Sequence, residues 1–109
     1  MLDFGFATSD EIGRELGSRL RAARLSQGLQ QVEVAARAGV SRNTVNTLEN
    51  KGQANLNNFL RVVMALGLVD ELAPLFKLKA SSIAELERNE RAIRKRAPRR
   101  PRATKDATQ

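Results

Sequence analysis

"AGVSRNTVNTLEN", residues 38–50, combines a turn signal with a short segment of helical periodicity. Gly39 can adopt the left-handed backbone that ends a helix, and Ser41 is a favourable N-cap for a new helix that begins at the next residue. In that helix Val45 and Leu48 would face a core. The opposite face is polar and carries, at spacings of three and four residues, Arg42, Asn43, Asn46, Thr47 and Asn50.

The residues before this stretch predict another short helix, which the turn at Gly39 joins to the helix that begins at Arg42. In "QQVEVAARAG", residues 30–39, the apolar Val34, Ala35 and Ala38 share one face of a helix of about eight residues. A helix this short is stable only when neighbouring elements pack against it. Two short helices joined by a turn with glycine at its first position have the geometry of a helix-turn-helix.

The polar face of the helix after the turn has the chemistry that recognises DNA bases. A helix about two turns long can enter the major groove, where arginine pairs with guanine, asparagine pairs with adenine and a threonine methyl group contacts thymine. Phosphate contacts make up half or more of such interfaces, so Arg42 is predicted to bind either a phosphate or a base. Without the turn, these side chains would indicate only a solvated helix face.

Caps and apolar periodicity indicate three further helices, so the predicted fold class is all-α. They run from Ser9 or Asp10 to Gln27 behind a Thr8–Glu11 capping box, from Leu56 to Leu66 behind Asn55, and through "IAELERNERAIRK" behind Ser81 or Ser82. Two short segments alternate as a strand does, "LDFGF" at residues 2–6 and "FKLKA" at residues 76–80. Each is open to interpretation as a strand.

The helix predicted over residues 56–66 is apolar nearly all round, and Arg61 is its only charge. A helix without a polar face is buried on more than one side, and in a chain this small the second side is predicted to be another subunit. Dimerisation would also double the number of base pairs read, on half-sites about one DNA turn apart. The apolar residues Phe59, Val63, Leu66, Leu72 and Phe76 are too many for one small core, so some are expected in the core and a subset is predicted to form the dimer interface.

Composition excludes several classes of function. The 109 residues contain no cysteine and no histidine, which removes thiol chemistry, disulfides and the commonest metal ligand and general base. We therefore expect no enzyme activity, no metal and no cofactor. The longest uncharged stretch, the nine residues 52–60, is far shorter than the roughly 20 residues of a membrane span, so a cytoplasmic protein without membrane contact is expected.

The net charge of +7 resides in the C-terminal fifth of the chain. Residues 1–87 carry ten basic and ten acidic residues, whereas residues 88–109 carry nine basic and two acidic ones. We expect disorder from about residue 97 and a non-specific DNA arm formed by Arg94, Lys95, Arg96, Arg99, Arg100 and Arg102. An acidic protein partner is the alternative. The predicted organisation is an N-terminal arm over 1–8, a DNA-binding and dimerisation domain over 9–80, and a basic extension over 81–109.

"LGSRLRAARLSQGLQQVEVAARAGVSRNTVNTLENKGQANLNNFLRVVMALGL", residues 16–68, resembles the Cro/C1-type helix-turn-helix family, also called the Xre family. The shared positions are Leu20, Arg21, Arg24, Gly28, Leu29, Gln31, Val34, Ala35, Gly39, Val40, Ser41, Thr44, Val45 and Glu49. The resemblance implies a compact five-helix, lambda-repressor-like fold that works as a homodimer on a palindromic operator. It also implies that Gln31 contacts DNA and that Arg24 and Glu49 form an ion pair fixing the first helix against the third.

A narrower resemblance concerns "LENKGQANLNNFLRVVMALGLVDEL", residues 48–72, followed by the basic tail, which look most like HipB-like regulators. It implies the antitoxin of a bacterial operon whose toxin is a HipA-type kinase. The expected function is a sequence-specific autorepressor, associated with the nucleoid when bound. Recognition is assigned to Gln31, Arg42, Asn43, Asn46 and Thr47, and phosphate contact to Asn50, Lys51 and Asn55. The alternative is a protein-interaction module that chiefly restrains a toxin, with DNA binding secondary.

Three positions depart from the family pattern. Gln30 stands where serine or threonine usually caps the second helix, which is expected to cost about 1 kcal/mol. Val32 replaces a usual polar residue near the DNA-facing end of that helix. Lys51 precedes the loop glycine instead of following it, which leaves the path of the loop open.

Overall fold

The structure, a computed structural model, describes residues 2–78 and 83–96. Within these two ranges the chain forms five α-helices and no strand, which confirms the predicted all-α class. The helices are α1 (Ser9–Ser26), α2 (Gln31–Ala38), α3 (Arg42–Lys51), α4 (Leu56–Ala65) and α5 (Ile83–Arg96). The predicted disorder from about residue 97 lies outside the described residues.

Neither predicted strand appears in the part of the chain that is described. Residues 4–6 form a turn of 3₁₀-helix, because the Asp3 carboxylate accepts a hydrogen bond from the Gly5 N–H at 2.9 Å and so caps a turn. Residues 76–78 form a turn and an irregular segment, and residues 79–80 lie outside the described ranges.

Side chains cap three of the helices as predicted. Thr8 and Glu11 form the reciprocal capping box of α1. The Ser41 hydroxyl accepts from the Thr44 N–H at 3.0 Å at the start of α3, and Asn55 accepts from the Asn58 N–H at 2.7 Å at the start of α4. At the start of α2 the cap comes from Glu33, whose Oε1 atom accepts a hydrogen bond from the Gln30 N–H at 2.8 Å.

The core lies between α1, α2, α3 and α4. Its largest fully buried side chains, Val34, Val45 and Val62, come from α2, α3 and α4 respectively. The other buried apolar residues are Leu20, Ala35, Ala38, Leu48, Val63 and Leu66. Burial of this shared face is what allows α2, only eight residues long, to be stable.

Two residues of the set predicted to supply the dimer interface lie in this core. Val63 and Leu66 are only 4% and 3% exposed, so they offer a second subunit almost no surface and are the core members of the predicted set. Phe59 and Leu72 are half-buried, whereas Phe76 is 95% exposed. The apolar residues that α4 does leave at the surface are Leu56 and Met64.

The chain divides into two units, Met1–Pro74 and Leu75–Gln109. The first contains α1 to α4 and the core. The second contains α5, whose described side chains are mostly exposed and charged. In the described part of the chain, no helix has both the length and the apolar composition needed to cross a membrane.

Candidate nucleic-acid interface

Helix α3 is held against α1 by direct contact between the two backbones. A Cβ atom placed on Gly17 would overlap the carbonyl oxygen of Leu48, and one placed on Gly13 would lie 2.8 Å from the carbonyl oxygen of Gly52. Because both α1 positions lack a side chain, the end of α3 can rest on the helix surface between them. The direction of α3 is therefore set by main-chain atoms.

Sequence reasoning missed this contact, although the chain carries a signal for it. Gly13 and Gly17 are four residues apart, so they lie on the same face of α1. Glycine inside a helix costs about 1 kcal/mol relative to alanine. Two such residues on one face therefore indicate a close approach of another backbone.

The ion pair expected between Arg24 and Glu49 is present and buried. The Nε atom of Arg24 donates to Oε2 of Glu49 at 2.7 Å, and its Nη2 atom donates to Oε1 at 2.9 Å. A bidentate pair of this kind fixes the orientation of both groups as well as their separation. The third nitrogen, Nη1, donates to the carbonyl oxygen of Leu29 at 2.8 Å, so the same guanidinium also holds the turn before α2.

Glu49 is charged in this environment despite its burial. Burial alone raises the pKa of the carboxyl group, but hydrogen bonds from Arg24 and Gln31 and the positive charges of Arg24 and Arg21 outweigh it. The net effect lowers the pKa of Glu49 from its usual range. The hydrogen bond to Glu49 likewise outweighs burial at Arg24 and raises the pKa of that guanidinium.

A chain of amide hydrogen bonds connects this buried pair to the polar face of α3. The side-chain Nε2 atom of Gln31 donates to Oε1 of Glu49 at 3.1 Å and to Oδ1 of Asn46 at 3.3 Å. The Nδ2 atom of Asn50 donates to the same Asn46 oxygen at 2.8 Å. Both amide hydrogens of Gln31 are thus engaged within the protein, so a bond from Gln31 to a phosphate requires one of these hydrogen bonds to open.

The structure brings six of the predicted DNA-binding residues together along α3. Arg42 and Asn43 are exposed in its first turn, Asn46 and Thr47 are half-buried in its middle, and Asn50 and Lys51 are exposed at its end. Asn55 is exposed, and its side-chain oxygen caps α4. The only acidic residue of α3 is Glu49, which is buried and paired, so the exposed face of the helix is positive.

Arg61 is a further cation near this face, and the sequence predictions do not assign it to DNA. A Cβ atom placed on Gly39 would lie 3.2 Å from Nη1 of Arg61, so the guanidinium lies beside the turn between α2 and α3. Its signal in the sequence is that it is the single charge on an otherwise apolar helix. Val32, the residue of α2 that departs from the family pattern, is 57% exposed.

The fold and this face define a helix-turn-helix domain. Residues 20–72, just under half of the chain, match the helix-turn-helix family model. A comparison with curated proteins found no match. The matched segment contains α2, α3 and α4 complete, and a domain of this type suggests a sequence-specific DNA-binding regulator.

Proposed function

We propose that the protein is a transcriptional repressor whose helix α3 enters the major groove of an operator. The observation that carries the proposal is the positive, polar face of α3, which buried contacts hold in place. Bases are read by Arg42, Asn43, Asn46 and Thr47, whose residue types suit base edges. In this proposal the chain performs no catalysis and binds no cofactor.

The residues that follow the base-reading positions contact the DNA backbone. Asn50 and Lys51 lie at the end of α3, and Asn55 starts α4. We assign these three residues to phosphates, because they are exposed and polar and follow the base-reading positions in the chain. Gln31 joins them when one of its internal hydrogen bonds opens.

The repressor acts as a homodimer on a palindromic operator, most simply one in its own promoter. A helix of ten residues reads few base pairs, and a second copy on a half-site about 34 Å away doubles the readout. Support for an interface on α4 comes from Leu56 and Met64, which are 70% and 61% exposed, and from the half-buried Phe59. Leu56 and Phe59 also line a shallow apolar groove. The setting is the bacterial cytoplasm, at the nucleoid when bound.

The test is selection of binding sites from a pool of random duplexes with the full chain. The proposal predicts enrichment of an inverted repeat whose half-site centres are about 10 base pairs apart. A control variant with Arg42→Ala and Asn46→Ala, both outside the core, should enrich no sequence. Equal recovery of all sequences by the unaltered chain would contradict the proposal.

A second candidate function is restraint of a protein partner, with DNA binding secondary. Phe76 is 95% exposed and has a φ of 59°, which a bulky residue rarely adopts, and its neighbours Leu75 and Leu78 are 49% and 59% exposed. An exposed apolar segment of this kind favours a partner protein. The HipB-like resemblance of residues 48–72 makes a HipA-type kinase toxin the proposed partner.

Co-purification of the chain with the product of the adjacent gene separates the two functions. A stable complex that Phe76→Ser abolishes, in a variant that still binds DNA, would favour the partner role. If the neighbouring gene encodes no kinase and no complex forms, the antitoxin assignment fails while the repressor remains.

A further inference from the structure

In the hydrogen bonds that join Glu49, Gln31 and Asn46, the donor and the acceptor of each bond are fixed. An ionised carboxylate accepts hydrogen bonds and cannot donate them. The part of the Gln31 amide that faces Glu49 must therefore be its NH₂ group, which lies 3.1 Å from the carboxylate. The buried pair with Arg24 keeps Glu49 ionised and in place. The Gln31 amide therefore cannot rotate by half a turn without breaking its hydrogen bond to Glu49.

The same constraint passes from Gln31 to Asn46. The second hydrogen of the Gln31 NH₂ group is directed at Asn46, so the Asn46 atom facing it must be an acceptor, Oδ1. Asn50 donates to this oxygen from the other side at 2.8 Å. A carbonyl oxygen has two lone pairs, and both are now in use. No hydrogen bond among the described residues uses the Asn46 Nδ2 atom.

We propose that Gln31 is a positioning residue for specificity, which fixes the Asn46 amide so that only its NH₂ group is offered to DNA, and that Asn46 therefore selects guanine. The usual asparagine–adenine pair needs an oxygen to accept from adenine N6 as well as a nitrogen to donate to N7. Guanine presents two acceptors, N7 and O6, and needs only donors. This inference rests on the proposed function, because it requires α3 to lie in the major groove.

Site selection with matched variants tests the inference. Asn46→Ala identifies the base pair that Asn46 reads, as the position whose preference disappears. At that position the unaltered chain should prefer guanine over adenine by about tenfold or more. Gln31→Met keeps the length of the side chain but cannot donate, so the Asn46 and Asn50 amides can reverse together without losing their mutual hydrogen bond, and the preference should fall to less than about threefold. Gln30→Met is the control, since the neighbouring Gln30 side chain takes no part in the hydrogen bonds that join Glu49, Gln31 and Asn46, and it should leave the ratio unchanged.

A second variant keeps the test decisive if Gln31→Met does not fold, as judged by urea unfolding. Asn46→Asp alters only the half-buried surface end of the network and offers an acceptor where the asparagine offers donors. It should exchange guanine for a base that donates in the major groove, cytosine or adenine.

Each of the following results would overturn the inference. Adenine at the Asn46 position in the unaltered chain would do so, as would guanine retained in a folded Gln31→Met variant or in Asn46→Asp. If Asn46→Ala changes no position, the inference fails while the repressor stands. If the unaltered chain enriches no sequence at all, the proposed function fails first and the inference with it.

Discussion

Helices α3 and α5 are both polar and net positive, but they are held in different ways. Helix α3 buries Val45, Leu48 and Glu49 and rests on the α1 backbone, and a chain of amide hydrogen bonds links its buried ion pair to its polar face. The described side chains of α5 are mostly exposed, and the helix carries five basic and three acidic residues. Fixed side chains can distinguish one base from another, whereas exposed charges attract DNA of any sequence. Under the proposed function, we therefore expect specificity from α3 and general affinity from α5.

The largest effect is expected when the ion pair that holds α3 against α1 is removed. Glu49→Gln leaves Arg24 buried without a counter-charge, and we expect it to lower the free energy of unfolding by about 3–5 kcal/mol. Urea unfolding followed by circular dichroism at pH 7 measures the change. Arg24→Met combined with Glu49→Met removes both charges and should recover most of the stability. A decrease below about 1 kcal/mol for the single variant would show that the pair does not hold the helix.

The same carboxylate makes the stability depend on pH in a predictable direction. Because the folded-state pKa of Glu49 is lowered, its contribution is fully present above the ordinary carboxyl pKa of about 4.3 and is lost as the pH falls through the lowered value. Unfolding curves between pH 7 and pH 2 should show this decrease. The Arg24→Met and Glu49→Met double variant should be flatter over the acid range, and an identical profile would contradict the assignment.

Gly17→Ala tests the backbone contact between α1 and α3. The added methyl group overlaps the Leu48 carbonyl oxygen, so the helices must separate, and we expect the free energy of unfolding to fall by about 2–3 kcal/mol. Ser18→Ala is the matched control, because Ser18 is exposed on the next position of α1 and should change stability by no more than about 0.5 kcal/mol. A stabilised Gly17→Ala would mean that helix propensity outweighs the overlap.

Asn46→Ala tests whether a side chain of α3 contributes to specific binding alone. It should weaken binding to the selected operator by about 1–3 kcal/mol and leave binding to unrelated DNA nearly unchanged. Fluorescence anisotropy with both duplexes measures the two affinities. Equal weakening on both would show that Asn46 contacts the backbone and reads no base.

The variant Arg94→Gln with Lys95→Gln tests whether the charges of α5 contribute to general DNA affinity. Its effect on affinity is expected to be the smallest of those described. Both residues are exposed on α5, and their removal should weaken binding to operator and unrelated DNA alike. The salt slope should flatten by about 0.9 for each phosphate that the variant no longer neutralises. Glu87→Gln with Glu90→Gln, on the same helix, should not flatten it. An unchanged slope in the arginine and lysine variant would remove these residues from the DNA arm.

Much of the fold could be predicted because its signals are local. The caps at Thr8, Ser41 and Asn55 and the spacing of Val45 and Leu48 each depend on a few adjacent residues. The segment at residues 2–6 stayed open in the sequence, because five alternating residues do not distinguish a strand from the turn that Asp3 caps.

The remaining features depend on contacts between distant segments. In the sequence every apolar position of α4 looks alike, so Val63 and Leu66 could not be separated from Leu56 and Met64, which stay exposed. The approach of α3 to α1 and the direction of the Gln31 amide require the elements to be placed in space. The Arg24–Glu49 pair was predicted from the family resemblance, and spacing alone would not have given it.

A comparison of two affinities decides whether α3 reads a DNA sequence. Fluorescence anisotropy at about 150 mM salt would measure binding of the full chain to the duplex upstream of its own gene and to a scrambled duplex of the same composition. If α3 reads the operator sequence, we expect a preference of roughly a thousandfold for the upstream duplex. Equal and equally salt-sensitive binding to both would show that only the exposed charges engage DNA, and would contradict the account.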